Sequence, residues 1–567
     1  MYYRELDEAW AELTAPDAPF ETTAVDIRGV PTRTFRRAPA SVRDIWMATR
    51  AFSDRDYLVY REERLTYAQA HAQSAAAARW LLKHGVMQGD RVAIAMRNYP
   101  EWMILYWACL SIGVTVVGMN AWWVAEEMAF ALEDSRPKVI VCDRERLDRL
   151  VERPEALEDL VVVATRSGQS VPDGVIAWQN IVAEHTGYMP DAIIEPDDDA
   201  CIFYTSGTTG RPKGALLTHR GCVNNLLNLQ FAARVQALAL ERAGHTPAVA
   251  APPAPPVALL TTPLFHVTAN NCAGYSTTAA GGTIVLMHRW DAGEALQLIE
   301  RERVTSLRGV PVMSRELLHH PDFAKHDTSS LQTMGGGGAP LPPDLVARID
   351  QSLAQARPST GYGLTETSGI ITTVESRFFI DKPGSVGRVM PTFEARCVDD
   401  AGADVQRGAP GELWVRGAPV IKEYINRPEA TAEAITDGWF HTGDIARIDD
   451  EGFVHIVDRK KDMVLRGGEN VYCAEVEACL YRENAVAECC VFGVPDERLG
   501  EEVAAAVYLR DGHSISAEAL RTHCARQLSR HKAPRYIWLL TEPLPRNANG
   551  KFMKRDLRRM LAMVDAL

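Results

Sequence analysis

Between about residues 60 and 145 the chain alternates helix-like apolar segments with short β-rich runs, and this alternation constrains the fold more than any other feature. Residues 66–84 read as a helix stopped by Gly85, and residues 91–96 as a buried strand. Residues 101–112 predict a second helix, ended by Gly113, and residues 114–117 a second strand. A helix over 124–132 and a strand over 138–142 continue the pattern. Repeated strand–helix–strand units imply a parallel sheet covered on both faces.

The pattern changes twice further on. From about 380 to 457, short β-rich runs at 411–416 and 453–457 sit between Gly, Pro and Asp turns, which predicts an antiparallel lobe. Beyond residues 458–462 the mixture returns, with strands near 487–492 and 503–509 and a helix near 517–528, enough for a small domain. The Pro/Ala-rich stretch 248–258 is expected to be an exposed loop.

Composition excludes several classes. A formal net charge of -13 over 567 residues argues against nucleic-acid binding, which needs a basic face. Eleven cysteines without a Cys-x-x-Cys pair or a zinc-like His spacing suggest free thiols in a reducing compartment. The adjacent Cys489 and Cys490 lie in an apolar run and read as small buried hydrophobes. No signal-like start and no run of about 18 apolar residues is present, so a cytoplasmic, non-spanning protein is expected.

The segment with the most chemistry runs from Tyr204 to Gly214, behind the strand-like Cys201, Ile202 and Phe203. Its glycines, Gly207 and Gly210, let backbone N–H groups turn inward around phosphates, while Thr205, Ser206, Thr208 and Thr209 add hydroxyls and Lys213 a positive charge. It differs from a Walker A loop, because Pro212 precedes Lys213 and Gly214 follows it. The glycines Gly335 to Gly338 permit close backbone approach to a flat ligand.

The 204–214 segment resembles the phosphate loop of the adenylate-forming superfamily, which includes acyl-CoA synthetases, aryl-CoA ligases, luciferase and peptide-synthetase adenylation domains. The other motifs follow in the family's order over residues 45–560. The resemblance implies an α/β fold: a large N-terminal domain of two doubly wound α/β lobes plus a distorted β-barrel lobe, residues 1–458, and a small mobile α+β domain, residues 459–567. It implies the cofactors ATP and Mg2+ with CoA as co-substrate, and it allows a homodimer.

Residue by residue, the resemblance assigns Gly361, Tyr362, Gly363 and Thr365 to adenine and the α-phosphate, and Glu366 to the metal. Gly336, Gly337, Gly338 and Ala339 would lie between adenine and the acid. Asp444 and Arg459 would hold the ribose, Lys461 would be the hinge, and Lys551 the catalytic lysine. Gly467, Gly468 and Glu469 would line the CoA tunnel, where relatives commonly carry proline in place of Cys473. His266 would gate the acid pocket, whereas Trp122 and Trp123 read as core.

The expected reaction joins a carboxylic acid to ATP as acyl-AMP and then transfers the acyl group to CoA. The small residues Ala273, Gly274 and Gly335 to Gly338 fit a medium- or long-chain fatty acid or an arylpropanoid acid, no basic residue stands out for a second carboxylate, and the fatty acid is favoured. An aryl or arylpropanoid acid, a carrier-protein acceptor and a non-catalytic nucleotide sensor are the alternatives.

Overall fold

A computed structural model of the chain describes residues 2–168, 171–183, 187–205, 211–245, 254–338, 341–353, 355–467, 469–546 and 552–561. The architecture is mixed α/β, with a large N-terminal and a smaller C-terminal domain, and the chain forms two compact units. The larger takes residues 1–394 and 415–440; the smaller takes 395–414 and 441–567.

In the larger unit the predicted alternation is present. A helix α1 (Tyr67–Lys83) starts at a reciprocal cap: Thr66 Oγ1 accepts from Gln69 N at 3.3 Å, and Gln69 Oε1 accepts from Thr66 N at 2.8 Å. It ends before Gly85, whose φ of +77° only glycine adopts at no cost. Strands β1 (Arg91–Ala95), β2 (Thr115–Gly118) and β3 (Val139–Asp143) pair in parallel. Between β1 and β2, helix α2 (Pro100–Leu110) has all its residues buried. It is apolar all round and so demands cover on every side.

This sheet continues to β4 (Asp199–Thr205), parallel to β2, and to β5 (Lys213–Thr218), antiparallel to β4. Helix α3 (His219–Arg242) follows at once, its first turn capped by Thr218 Oγ1 on Gly221 N at 3.1 Å. At 24 residues it runs for about 36 Å.

A second parallel array contains β6 (Val257–Leu260), β7 (Ser306–Gly309), β8 (Thr333–Gly336) and β9 (Arg357–Leu364), with β10 (Gly369–Glu375) antiparallel to β9. Strand β6 corrects one expectation. The Pro/Ala-rich stretch was expected as loop through residue 258, yet Val257 and Ala258 are strand, because the prolines end at Pro256. Residues 248–253 of that stretch lie outside the described residues.

The smaller unit contains part of β11 (Trp439–Ile448), which pairs antiparallel with β12 (Phe453–Arg459). Its own sheet holds β13 (Val464–Arg466), β14 (Glu469–Val471), β15 (Val486–Asp496) and β16 (Gly500–Leu509). Cys489 and Cys490 alternate on β15 and enter separate hydrophobic clusters, both fully buried. All eleven cysteines are free thiols. Among the described residues, no helix is long and apolar enough to cross a membrane.

Candidate active site

Hairpin geometry sets the phosphate-loop candidate. Thr205, the last residue of β4, is paired with Lys213, the first of β5. That pairing fixes the two residues from which the segment between them leaves and returns. Ser206, Gly207, Thr208, Thr209 and Gly210 lie outside the described residues.

Lys213 has its Nζ 4.9 Å from the centre of the Tyr424 ring. Tyr424 lies on a two-residue strand paired with β5, and its hydroxyl donates to Glu366 Oε1 at 2.8 Å. Burial, and then the Glu366 charge, push the Tyr424 phenol far above its ordinary range, so it remains a donor. Ile421 N donates to the Glu366 carbonyl at 2.9 Å. Glu366 itself sits in one helical turn, Thr365–Thr367, and is nearly buried. Its second carboxylate oxygen takes no hydrogen bond from a described residue. A fixed carboxylate with one oxygen free, near an ammonium group, suits a divalent cation carried on a polyphosphate. Sequence reading found Lys213 and Glu366 but missed Tyr424, which is 58 residues from Glu366 and in no recognisable motif.

The glycines are required by backbone contact. A Cβ on Gly336 would stand 2.1 Å from Gly309 O, and one on Gly337 2.9 Å from Gly361 O. On Gly363 it would meet Gly369 O at 1.8 Å. Gly338 has φ +86°. Gly361 and Tyr362 lie on β9 beside these residues, while Ala339 is outside the described residues.

His266 follows β6, its ring 4.6 Å from that of Phe265. Asn270 N donates to the His266 carbonyl at 3.0 Å, tying it to a π-turn over Thr268–Gly274. Such turns widen a helix and recur at functional sites. This one is held by amides: Asn225 Nδ2 donates to Asn271 O at 3.1 Å, and Asn225 Oδ1 accepts from Ile370 N at 2.9 Å. Of the two tryptophans expected in the core, Trp123 is buried but Trp122 is 41% exposed. The Arg97 guanidinium covers its ring at 3.9 Å, which substitutes for core burial on one face. Arg308 lies on β7 and is close enough to Cys272 of the π-turn for its charge to act on that thiol.

In the smaller unit Asp444 and Arg459 are cross-strand partners, Arg459 Nε lying 2.8 Å from Asp444 Oδ1. Asp444 is buried, and Arg459 is half-exposed. Lys461 is exposed in the turn after β12, where Asp462 N and Met463 N both donate to Arg459 O. Gly467, with φ +61°, and Glu469 flank the tip of the β13–β14 hairpin; Gly468 is outside the described residues. Lys551 is outside them too, but its neighbours Arg546 and Phe552 form an antiparallel bridge.

Cys473 begins a helix α4 (Cys473–Leu480) and is fully buried. Its N–H donates to Asp458 Oδ2, and its Sγ to Asp462 O at 3.0 Å. A proline there would lack that N–H donor. Burial raises the Cys473 thiol, so it is not an activated thiolate.

A parallel array whose carboxyl ends carry glycine-rich turns, a lysine-based hairpin and a buried carboxylate define a nucleotide-dependent enzyme. The AMP-binding enzyme family model matches residues 45–425, and its C-terminal domain model matches residues 475–551. The chain belongs to this adenylate-forming family, whose members use ATP, Mg2+ and CoA.

Its relatives make the class more specific. It is 37% identical over 502 residues to feruloyl-CoA synthase of Amycolatopsis sp, covering 87% of this chain and 94% of that one. It is 34% identical to the long-chain-fatty-acid–CoA ligase FadD13 of Mycobacterium tuberculosis, covering 87% of this chain and 93% of that one. Among solved structures, o-succinylbenzoate CoA synthetase (MenE) from Bacillus subtilis, in complex with the acyl-adenylate intermediate OSB-AMP, matches with a TM-score of 0.74 at 30% identity. That match covers 91% of this chain and 97% of MenE. The chain is therefore an ATP-dependent acyl- or aryl-CoA ligase.

Proposed function

We propose that this ligase works in two steps, forming acyl-AMP with release of pyrophosphate and then an acyl-CoA with release of AMP. The observation that carries this reading is the Lys213–Tyr424–Glu366 arrangement, which holds a cation and a carboxylate ready for a metal-bound polyphosphate.

In this reading Lys213 and residues 205–210 bind the phosphates, and Thr365 contacts the α-phosphate. Glu366 would hold Mg2+, which would supply positive charge to the phosphate oxygens. Gly336, Gly337, Gly338, Ala339, Gly361, Tyr362 and Gly363 accommodate adenine and the carboxyl end of the acid, and Asp444 and Arg459 hold the ribose. The acid's own carboxylate is the nucleophile at the α-phosphorus. Lys551 stabilises the charge that develops there, so the protein contributes position and electrostatics. His266 gates the acid pocket. Residues 459–567 act as a mobile domain pivoting at Lys461, and Gly467, Gly468 and Glu469 line the CoA path. We place the enzyme in the cytoplasm, since eleven unpaired thiols suit a reducing compartment.

For the acid, a medium- or long-chain fatty acid and an arylpropanoid acid are the two readings. The FadD13 relative supports the first and the feruloyl-CoA synthase relative the second. The test is incubation with Mg-ATP, CoA and a panel of fatty and aromatic acids, following AMP and thioesters by mass spectrometry. The expected result is an acyl-CoA with stoichiometric AMP. Acyl-AMP without thioester would replace CoA by a carrier-protein acceptor, and no nucleotide turnover with any acid would refute the ligase mechanism.

A further inference from the structure

One row of residues crosses the second sheet of the larger unit. Leu260 on β6 is the register partner of Arg308 on β7, Arg308 of Gly335 on β8, Gly335 of Ser359 on β9, and Ser359 of Glu375 on β10. Directly paired positions present their side chains on the same face of a sheet. Arg308 and Glu375 therefore flank a strip whose two middle positions carry no side chain and a hydroxymethyl group. Three strand spacings put their Cα atoms roughly 14 Å apart, leaving between the two long side chains a trough whose floor, Gly335 and Ser359, is buried.

Helix α3 and the π-turn border this trough. Gln236 of α3 accepts a hydrogen bond from Glu375 N at 2.9 Å. Cys272 of the π-turn is close enough to Arg308 to feel its charge, as is Glu375. Burial is the main cause of the raised Glu375 carboxyl, and it pushes the Cys272 thiol up to about 11. Yet Cys272, Arg308 and Glu375 all retain accessible surface.

Neither end of the trough is satisfied. Among the described residues the Arg308 side chain makes no hydrogen bond or ion pair, and its Nε is a buried donor with no partner. The Glu375 side chain likewise has no hydrogen bond or ion pair with a described residue. Buried polar groups left without partners are rare and costly, and a guanidinium cannot escape by losing its proton. An apolar chain end laid in this trough would leave both unpaired. A second carboxylate would satisfy Arg308 but oppose Glu375. A hydroxyl accepts from the arginine and donates to the glutamate.

The row also lies one residue inside the ends of β7 and β8, at Gly309 and Gly336. The reacting carboxylate is expected beyond those carboxyl ends, at Gly337 and Gly338, so the trough would receive the remote end of the acid.

Resting on the acid:CoA ligase reading above, we propose that Arg308 and Glu375 are specificity-determining residues that bind a hydroxyl at the remote end of the substrate. The acid belongs to the hydroxyaryl class, because the strip over Gly335 and Ser359 suits a flat ring.

The test compares kcat/KM for 4-hydroxycinnamate, cinnamate and decanoate in the wild-type enzyme and in R308M, R308K and E375Q. A site built to bond a hydroxyl rejects the analogue lacking it, so the wild type should favour 4-hydroxycinnamate over cinnamate by about 10-fold or more. In R308M that ratio should fall at least about 10-fold, with R308K and E375Q intermediate. Cinnamate or decanoate used by the wild type as well as 4-hydroxycinnamate would overturn the proposal while leaving the ligase reading intact. An R308M enzyme that loses all three acids equally would also overturn it. Absence of any thioester and any AMP, with every acid, would remove the ligase reading and this proposal together.

Discussion

Two buried carboxylates, one in each compact unit, are treated in opposite ways. Glu366 in the larger unit is fixed on one side by the Tyr424 hydroxyl and leaves its other oxygen uncommitted. Asp458 in the smaller unit spends both oxygens internally, accepting from Arg459 N at 2.7 Å on one and from Cys473 N on the other. Beside it, Lys554 Nζ lies 3.2 Å from Glu477 Oε1 and donates to Val491 O at 3.0 Å. Burial alone would lower the Lys554 ammonium, but Glu477, Cys473, Cys490 and Asp462 hold it above its ordinary value. The larger unit keeps bonding capacity free, as a ligand site must; the smaller unit uses its charge to join the end of β12, helix α4 and the C-terminal segment. The difference separates a polar group meant for a ligand from one meant for the fold.

Substitutions at these groups should separate the two roles. The largest effect should come from Lys551→Ala, which removes the proposed charge at the α-phosphate. Adenylation should fall by about 1,000-fold, while thioester formation from supplied acyl-AMP continues; equal loss of both half-reactions would refute the role. Glu366→Gln should lower turnover about 100-fold with an unchanged melting temperature. A large stability loss would instead make Glu366 a structural carboxylate like Asp458.

Lys554→Met should do the reverse. Leaving Glu477 without its cation should destabilise the smaller unit by about 1–3 kcal/mol, since the side chains remain partly exposed, readable in a denaturant melt. Tyr424→Phe is expected to cost about 10-fold in kcat/KM, the loss of one hydrogen bond to a charged acceptor. A stability change without that kinetic loss would detach Tyr424 from the site.

A pH dependence of stability is expected as well. Burial, opposed by Lys554 and the bonds from Arg459 and Cys473, pushes the Asp458 carboxyl up to about 6 from 3.8. The folded state then holds this proton more tightly than the unfolded state. Stability from this group is fully present below the unfolded value and is lost as pH rises through about 6. The total is on the order of 2–3 kcal/mol at most. Asp458→Asn should flatten the stability profile of the smaller unit between about pH 4 and 6. An unchanged profile would show that Asp458 ionises there as an ordinary carboxyl.

Legibility in the sequence followed locality. Helix α1 could be read because Thr66 and Gln69 cap it from within four residues and Gly85 ends it. Helix α2 could be read because its apolar run is ended by Gly113. The hairpin around Lys213 and the turn at Glu366 announce themselves through glycine, hydroxyl and charge at short spacing. Trp122 could not be distinguished from Trp123, because alternate residues differ only in which neighbours arrive, here Arg97 for the first and Tyr204 for the second.

The sequence by itself therefore determined the alternating α/β plan, the glycine-lined nucleotide elements and the family to which they belong, since each depends on residues a few positions apart. Tertiary structure alone decided that Tyr424 anchors Glu366, that Asp458 caps the helix at Cys473, and that Arg308 and Glu375 share one row of a sheet. Strand pairing sets those neighbours, and the pairing of β7 through β10 joins residues scattered over nearly seventy positions. No local pattern encodes that register; it follows from packing the whole sheet beneath helix α3 and the π-turn.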